Sequence, residues 1–193
     1  MGDLDLDIHD FAESFMKALE GKDEYTGGHS KRVSDTVERI ARGLGFDENA
    51  CYFIHVAGHF HDIGKINIPD AILLKTGRLR PQEMEVMKLH AAYGFEILHG
   101  CGGLERLAHI VLHHHERFDG TGYPNGLGGN DIPPESRIIA IADAFDAMTT
   151  FRTYRRPVPF EAALEAIAEG SGSQFDPEMA ACFLDISKVA EEG

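Results

Sequence analysis

The sequence has little of what would place it in several large protein classes. No apolar run approaches the roughly 20 residues that a membrane-spanning helix requires, although 43% of the residues are hydrophobic. No contact with a membrane is therefore expected. Cys51, Cys101 and Cys182 stand far apart and form no Cys-x-x-Cys pair, which leaves free thiols in a reducing compartment as the simplest account. The opening MGDLDLDIHDF is acidic and lacks the charged and apolar regions of a secretory signal, so a cytoplasmic location is expected. Positive charge is scarce: 18 Lys and Arg against 32 Asp and Glu give a formal charge of −14 at pH 7. Polymeric nucleic acid is held by clustered Lys and Arg, so it is not an expected partner. Sustained two-residue alternation of β-branched residues is missing as well, as are internal repeats and low-complexity tracts.

What the sequence does have is helical period. At 193 residues it suffices for one domain with a hydrophobic core. Phe11, Phe15, Ala18 and Leu19 predict a helix over 8–19, whose acidic start is compatible with the remnant of a linker. Val33, Val37, Ile40, Ala41 and Leu44 form the stripe of a helix over 30–44, closed by Gly45 and led by His29. Asp47 is placed to cap a third helix that reaches His61 and Asp62, limited by Gly64 and Pro69. Pro81 suits the first position of a helix over 81–98. Helices over 104–115, 136–150, 160–168 and 177–189 complete an all-α bundle. The segment ERFDGTGYPNGLGGNDIPP, directly after His114-His115, is too rich in Gly, Pro, Asn and Asp for regular structure and predicts a long loop.

The chain is also rich in histidine, with 11 residues, clustered between His55 and His115. His29, the pair His61-Asp62, His90, the pair His114-His115 and Asp143 fall on five separate helices or helix ends, and a bundle can converge such groups on its core. Imidazole and carboxylate without thiolate suit Fe, Mn or other divalent ions, Ni, Co and Zn among them, better than a structural zinc site. An Asp beside a His can bridge two ions with its two oxygens. Two ions together lower the pKa of a shared water and neutralise charge on an attacked phosphate. Spacing alone leaves other pairs open. His55 and His59 are four apart, as are His109 and His113, so either pair could meet a metal on a helix face; packing or exposure is the favoured reading for them.

The order of motifs is more specific. YTGGHSKRV at 25–33, HDIGKINIPDAIL at 61–73, HHERFDGTGYPNGL at 114–127 and RIIAIADAFDAMTTFRTYR at 137–155, followed by QFDPEMAACFL, resemble the HD-GYP family of the HD phosphohydrolase superfamily over nearly the whole chain. The resemblance implies a compact all-helical fold, a bacterial source and hydrolysis of cyclic di-GMP to linear pGpG and, in some members, onward to GMP. It divides the chain into residues 1–20, an N-terminal helix or linker remnant, and residues 21–193, the phosphohydrolase domain. By matched position His29, His61, Asp62, His90, His114, His115 and Asp143 would hold two divalent ions, Fe or Mn first, with Asp62 bridging. Lys65 would steady the phosphate or its attacking hydroxide. Arg152 and Arg155 would contact ligand phosphates, a role that suits the planar guanidinium fork. Tyr123 belongs to the Gly-Tyr-Pro triplet that marks the family and would lie near the ligand.

Two divalent ions against Asp62 and Asp143 leave about +2, which Lys65, Arg152 and Arg155 increase, so the site can attract a dianion despite the overall charge. The sequence departs from part of the family at Tyr25. Some members carry Glu there, four residues before the first ligand, and use it for a third metal; a phenol, with a pKa near 10, is a poor substitute. Two ions and a slow second hydrolysis follow. A second departure is Gly58-His59-Phe60, where aliphatic residues are usual. The alternative functions are a phosphodiesterase for another cyclic dinucleotide such as cyclic GMP-AMP, or for a mononucleotide, and a catalytically silent module that senses the dinucleotide or docks a partner. Silence would be marked by lost ligands, and every ligand position is filled. A homodimer or a signalling-protein partner is compatible with the family. No receiver or sensory segment precedes Ile8, as expected of a stand-alone protein or a piece of a longer one.

Overall fold

The computed structural model describes residues 8–21, 28–151 and 156–189. Its helices are α1 (Ile8–Glu20), α2 (His29–Gly43), α3 (Glu48–Phe60), α4 (Asp70–Leu73), α5 (Pro81–Lys88), α6 (His90–His99), α7 (Glu105–Leu112), α8 (Pro134–Thr149), α9 (Phe160–Gly170) and α10 (Pro177–Val189), with short 3-10 turns at Ile63–Asn67 and Gly129–Asp131. The described residues contain no strand, only one isolated bridge between Ser171 and Phe175. None of their helices is long and apolar enough to cross a membrane.

The stripe expected for α2 faces the core, whereas in α1 the buried apolar residues are Ala12 and Met16, and Phe11 and Ala18 of the expected stripe are exposed. Met16 of α1, Val33, Val37 and Ile40 of α2, Ile54 of α3, Ile110 of α7, Ile138 and Ile141 of α8 and Phe183 of α10 all belong to that core. Burying such side chains contributes about 1.5–3 kcal/mol each before the entropy of ordering is subtracted. The first helix is thus packed into the bundle through Ala12 and Met16. It also caps the second. Gly28, at φ 76, precedes α2 and offers no side chain; instead the Glu20 carboxylate accepts the Gly28 and Ser30 backbone N–H groups, each at 2.7 Å. A carboxylate suits the positive end of the helix, and the arrangement fixes His29 between its two bonded neighbours. Asp47 caps α3 as expected, accepting from the Ala50 N–H at 2.8 Å.

Two expected helices end differently. The 81–98 helix is broken at Leu89 into α5 and α6, and the 104–115 helix stops at Leu112. In both places a histidine ring competes for a carbonyl that a continuing helix would use: His90 Nδ1 donates to Met87 O at 2.8 Å, and His114 Nδ1 to Val111 O at 2.5 Å. The loop after His115 is anchored by buried Glu116, which accepts the backbone N–H of Asn125 at 2.7 Å and of Leu127 at 3.1 Å. The three cysteines are free.

The turn after Asp62 lies hard against α6. A methyl group on Gly64 would stand 1.9 Å from the His90 carbonyl oxygen and 2.4 Å from the Gly94 nitrogen, so only glycine lets Asp62 and His90 come together. Gly64→Ala should therefore lower stability by at least ~1–3 kcal/mol, read as a fall in thermal midpoint. Gly77→Ala, whose added methyl meets nothing within 4 Å, is the control and should leave the midpoint almost unchanged.

Candidate metal centre

The seven His and Asp positions marked by the sequence come together where α2, α3, α6, α8 and the end of α7 meet. They form two groups of three: His29, His61 and Asp143, and His90, His114 and His115. In each group one ligand atom per residue lies within 4.8 Å of the others. Asp62 stands between the groups. Its Oδ2 is 3.3 Å from His61 Nε2 and 3.6 Å from His29 Nε2, while its Oδ1 is 3.4 Å from His90 Nε2. Asp143 Oδ1 is 3.3 Å from His29 Nε2 and 4.0 Å from His61 Nε2.

The orientation of the rings says what these gaps are for. His61 Nδ1 donates to Gly58 O at 2.7 Å, His90 Nδ1 to Met87 O and His114 Nδ1 to Val111 O. Each ring thus leans back on the carbonyl three residues earlier. A carbonyl only accepts, so the ring proton sits on Nδ1 and a neutral ring carries its lone pair on Nε2. Burial, with the Lys65 and His61 charges opposing Asp62, lowers His90, and burial together with His115 and His90 holds His114 well below its ordinary range; both are neutral. Their Nε2 atoms then face each other lone pair to lone pair at 3.2 Å. His61 Nε2 likewise faces carboxylate oxygen, and it is buried without a hydrogen-bond partner, as is His29 Nε2. Facing lone pairs repel one another, and a buried ring nitrogen without a partner is costly. A cation between them removes both penalties, so the donor set fits divalent metal ions.

The carboxylates are ready to serve. Burial would raise Asp62, but Lys65, His61 and His29 hold it well below the usual carboxylate range. Burial would raise Asp143 too, and His29, His61 and His115 outweigh it. Lys65 Nζ bonds Asp62 Oδ2 at 2.5 Å. Tyr123 packs on His115 with ring centroids 4.9 Å apart, and Lys88 Nζ lies 5.4 Å from the Tyr123 centroid. Burial, Asp62 and Asp143 push the Tyr123 phenol up, so it stays protonated and can donate. Arg152, Arg155 and Tyr25 lie outside the described residues.

Sequence reasoning missed the groups behind the ligands. Asp146 accepts from His29 Nδ1 at 2.6 Å and from Arg32 Nε at 2.6 Å and Nη2 at 3.1 Å. It orients the ring and makes it a stronger donor toward a metal. A signal was present, since Asp143 and Asp146 are three apart and share a face of α8. The pair His109 and His113 does not point at one ion: His113 Nδ1 donates to the His109 carbonyl at 2.8 Å and His113 Nε2 sits 3.4 Å from Asn125 Nδ2.

Residues 13–179 match the HD domain family. The chain is 43% identical over 188 residues to a cyclic di-GMP phosphodiesterase of Thermotoga maritima, covering 94% of this chain and 51% of that protein. It is 39% identical over 176 residues to a 3'3'-cGAMP-specific phosphodiesterase of Vibrio cholerae, covering 91% of this chain and 38% of that protein. The crystal structure of a V. cholerae phosphodiesterase specific for cyclic GMP-AMP superposes with a TM-score of 0.60 at 32% identity, over 95% of this chain and 42% of that one. The chain thus spans about half the length, or less, of these curated relatives.

The buried histidines make the metal-free protein acid-sensitive. Burial lowers His55, His59, His90, His114 and His115 below the ordinary 6.5, His59 and His115 to about 3, even though part of the His115 side chain stays accessible. As pH falls through 6.5 the unfolded chain protonates these groups and the native one does not, so stability falls. His29 acts oppositely: burial would lower it, but Asp143, Asp146 and Asp62 raise it, so its contribution is full below 6.5 and is lost as pH rises through its raised value. Asp62 and Asp143 lose their contribution only on acidification below the carboxylate range. Five groups against one decide the sign. The thermal midpoint of chelator-stripped protein should drop between about pH 7 and pH 5; a midpoint that holds or rises would contradict the burial of neutral rings.

Proposed function

The chain belongs to the HD domain family, in its HD-GYP branch, and from that membership we propose that it hydrolyses a phosphodiester bond of a cyclic dinucleotide, cyclic di-GMP first, giving pGpG. The observation that carries the reading is Asp62, which offers one oxygen to each of two three-residue groups. His29, His61 and Asp143 would hold one divalent ion and His90, His114 and His115 the other, with Asp62 shared. Fe or Mn suits these nitrogen and oxygen donors, with Ni, Co or Zn as alternatives. Two such ions, when bound, activate water and neutralise charge on phosphorus.

The chain's own residues do the rest. Asp62 holds Lys65 at the rim, where its ammonium can meet a phosphate oxygen as negative charge grows in the transition state. Tyr123 stacks beside His115 as a neutral donor toward the ligand. Arg152 and Arg155 would fix the phosphates, and the substrate would be bound by these cations despite the acidic surface. Tyr25 in place of a carboxylate supports two ions in the centre and slow conversion of pGpG to GMP. A second reading, with 3'3'-cGAMP as the substrate, is favoured by the named specificity of the V. cholerae relative.

Anaerobically prepared, metal-loaded protein should convert cyclic di-GMP to pGpG faster than it converts 3'3'-cGAMP. The reverse order would favour the second reading, and turnover of neither would favour a sensing module. Asp62→Ala should abolish turnover and most metal retention while circular dichroism stays unchanged; full activity with native metal content would remove Asp62 from the centre. Arg152→Ala and Arg155→Ala should keep the metals but weaken substrate binding by about 1–3 kcal/mol each, seen as a raised KM.

A further inference from the structure

A third histidine group lies away from the centre. His9 of α1 and His55 and His59 of α3 each place one ring nitrogen within 4.8 Å of the other two. Their ring centroids are 5.0, 5.2 and 5.0 Å apart. His55 and His59 are one turn apart and share a face of α3. His61 follows two residues later, about 200° around the helix axis, so the two sets of rings leave α3 on different sides.

The geometry repeats what is seen at the dinuclear groups. His9 Nε2 and His55 Nε2 stand 3.1 Å apart, close to the 3.2 Å between His90 and His114. His55 Nδ1 is 3.0 Å from Glu38 Oε2 but makes no hydrogen bond, so the carboxylate adds negative charge beside the ring. His9 Nδ1 is 3.3 Å from Asp10 Oδ1, which leaves Nε2 to face His55. His59 supplies the independent sign of a ligand: it is 0% exposed, and neither ring nitrogen has a hydrogen-bond partner. An imidazole wholly removed from water with both nitrogens unbonded is costly. A cavity of about 350 Å³ lined by His9, Glu38, Arg42, Tyr52 and His55 opens beside the group. It gives an ion a way in and leaves room for water as a further ligand.

We propose that His9, His55 and His59 form a separate mononuclear metal site, with the Glu38 carboxylate beside it, and that the ion it takes is a late divalent transition metal of the zinc type. Three imidazoles and one open position are a usual four-coordinate zinc set. The ion would tie α1 to α3. Because α1 also supplies the Glu20 cap of α2, the site would steady the helix that starts with His29. The role is structural, so the inference does not depend on which nucleotide is hydrolysed.

The test uses the whole chain, stripped with chelator, titrated with ZnCl2, freed of loose ion by gel filtration and assayed for bound zinc and thermal midpoint. The unaltered protein should retain one more zinc per chain than His9→Gln, and zinc should raise its midpoint more. Glu38→Gln, which removes the negative charge beside His55, should weaken binding of that extra zinc. His59→Gln gives a second comparison if it folds; His9→Gln, at a partly exposed ring, decides otherwise. Equal zinc content and equal zinc-induced shifts in the unaltered protein and His9→Gln would overturn the site, leaving His9 and His55 as a plain N–H···N pair.

Discussion

The structure depends on buried ring nitrogens held facing one another and facing carboxylate oxygens. His61 Nε2 faces Asp62 and Asp143 oxygens, and His90 Nε2 faces both Asp62 and His114 Nε2. Hydrogen bonds from the opposite ring nitrogens fix these orientations, and burial keeps the His90 and His114 rings neutral. Between the neutral His90 and His114 rings the arrangement is repulsive without a cation. The core therefore presents His and Asp groups that could hold metal ions, and metal binding and stability would be linked there.

That constraint explains features that look like defects of the helices. The break at Leu89 and the early stop at Leu112 are where His90 and His114 turn back onto carbonyls three residues before them, and His61 does the same at the end of α3. One device, used at three helix ends, aims three rings inward. Gly64 lets the turn after Asp62 touch the start of α6, and Glu20 with Gly28 fixes the start of α2. Most elements near the centre begin or end at one of its histidines, Asp143 lying instead within α8, and the apolar stripes of α2, α7 and α8 hold them in place from behind.

Much of this was legible in the residues. The stripe of Val33, Val37 and Ile40, the Asp47 cap and the loop after His115 read directly, because helical period, capping and turn chemistry are local. The convergence of the seven His and Asp positions was legible through the order of their motifs. The breaks at Leu89 and Leu112 were not, because a ring-to-carbonyl bond competes with helix continuation only once tertiary packing has fixed the ring. Glu20 and Arg32 escaped notice because their partners are 8 or more and 114 residues away. For His55 and His59 spacing favoured packing or exposure, and nothing in the local sequence places His9 beside them, as the structure does.

The central claim is that Asp62 is shared between two metal ions, and anomalous diffraction from crystals grown anaerobically with Mn or Fe tests it most directly. The account predicts two peaks at the centre, one bounded by His29, His61 and Asp143 and the other by His90, His114 and His115, each with one Asp62 oxygen as a ligand. A single peak there, or two peaks with both Asp62 oxygens on one of them, would contradict it.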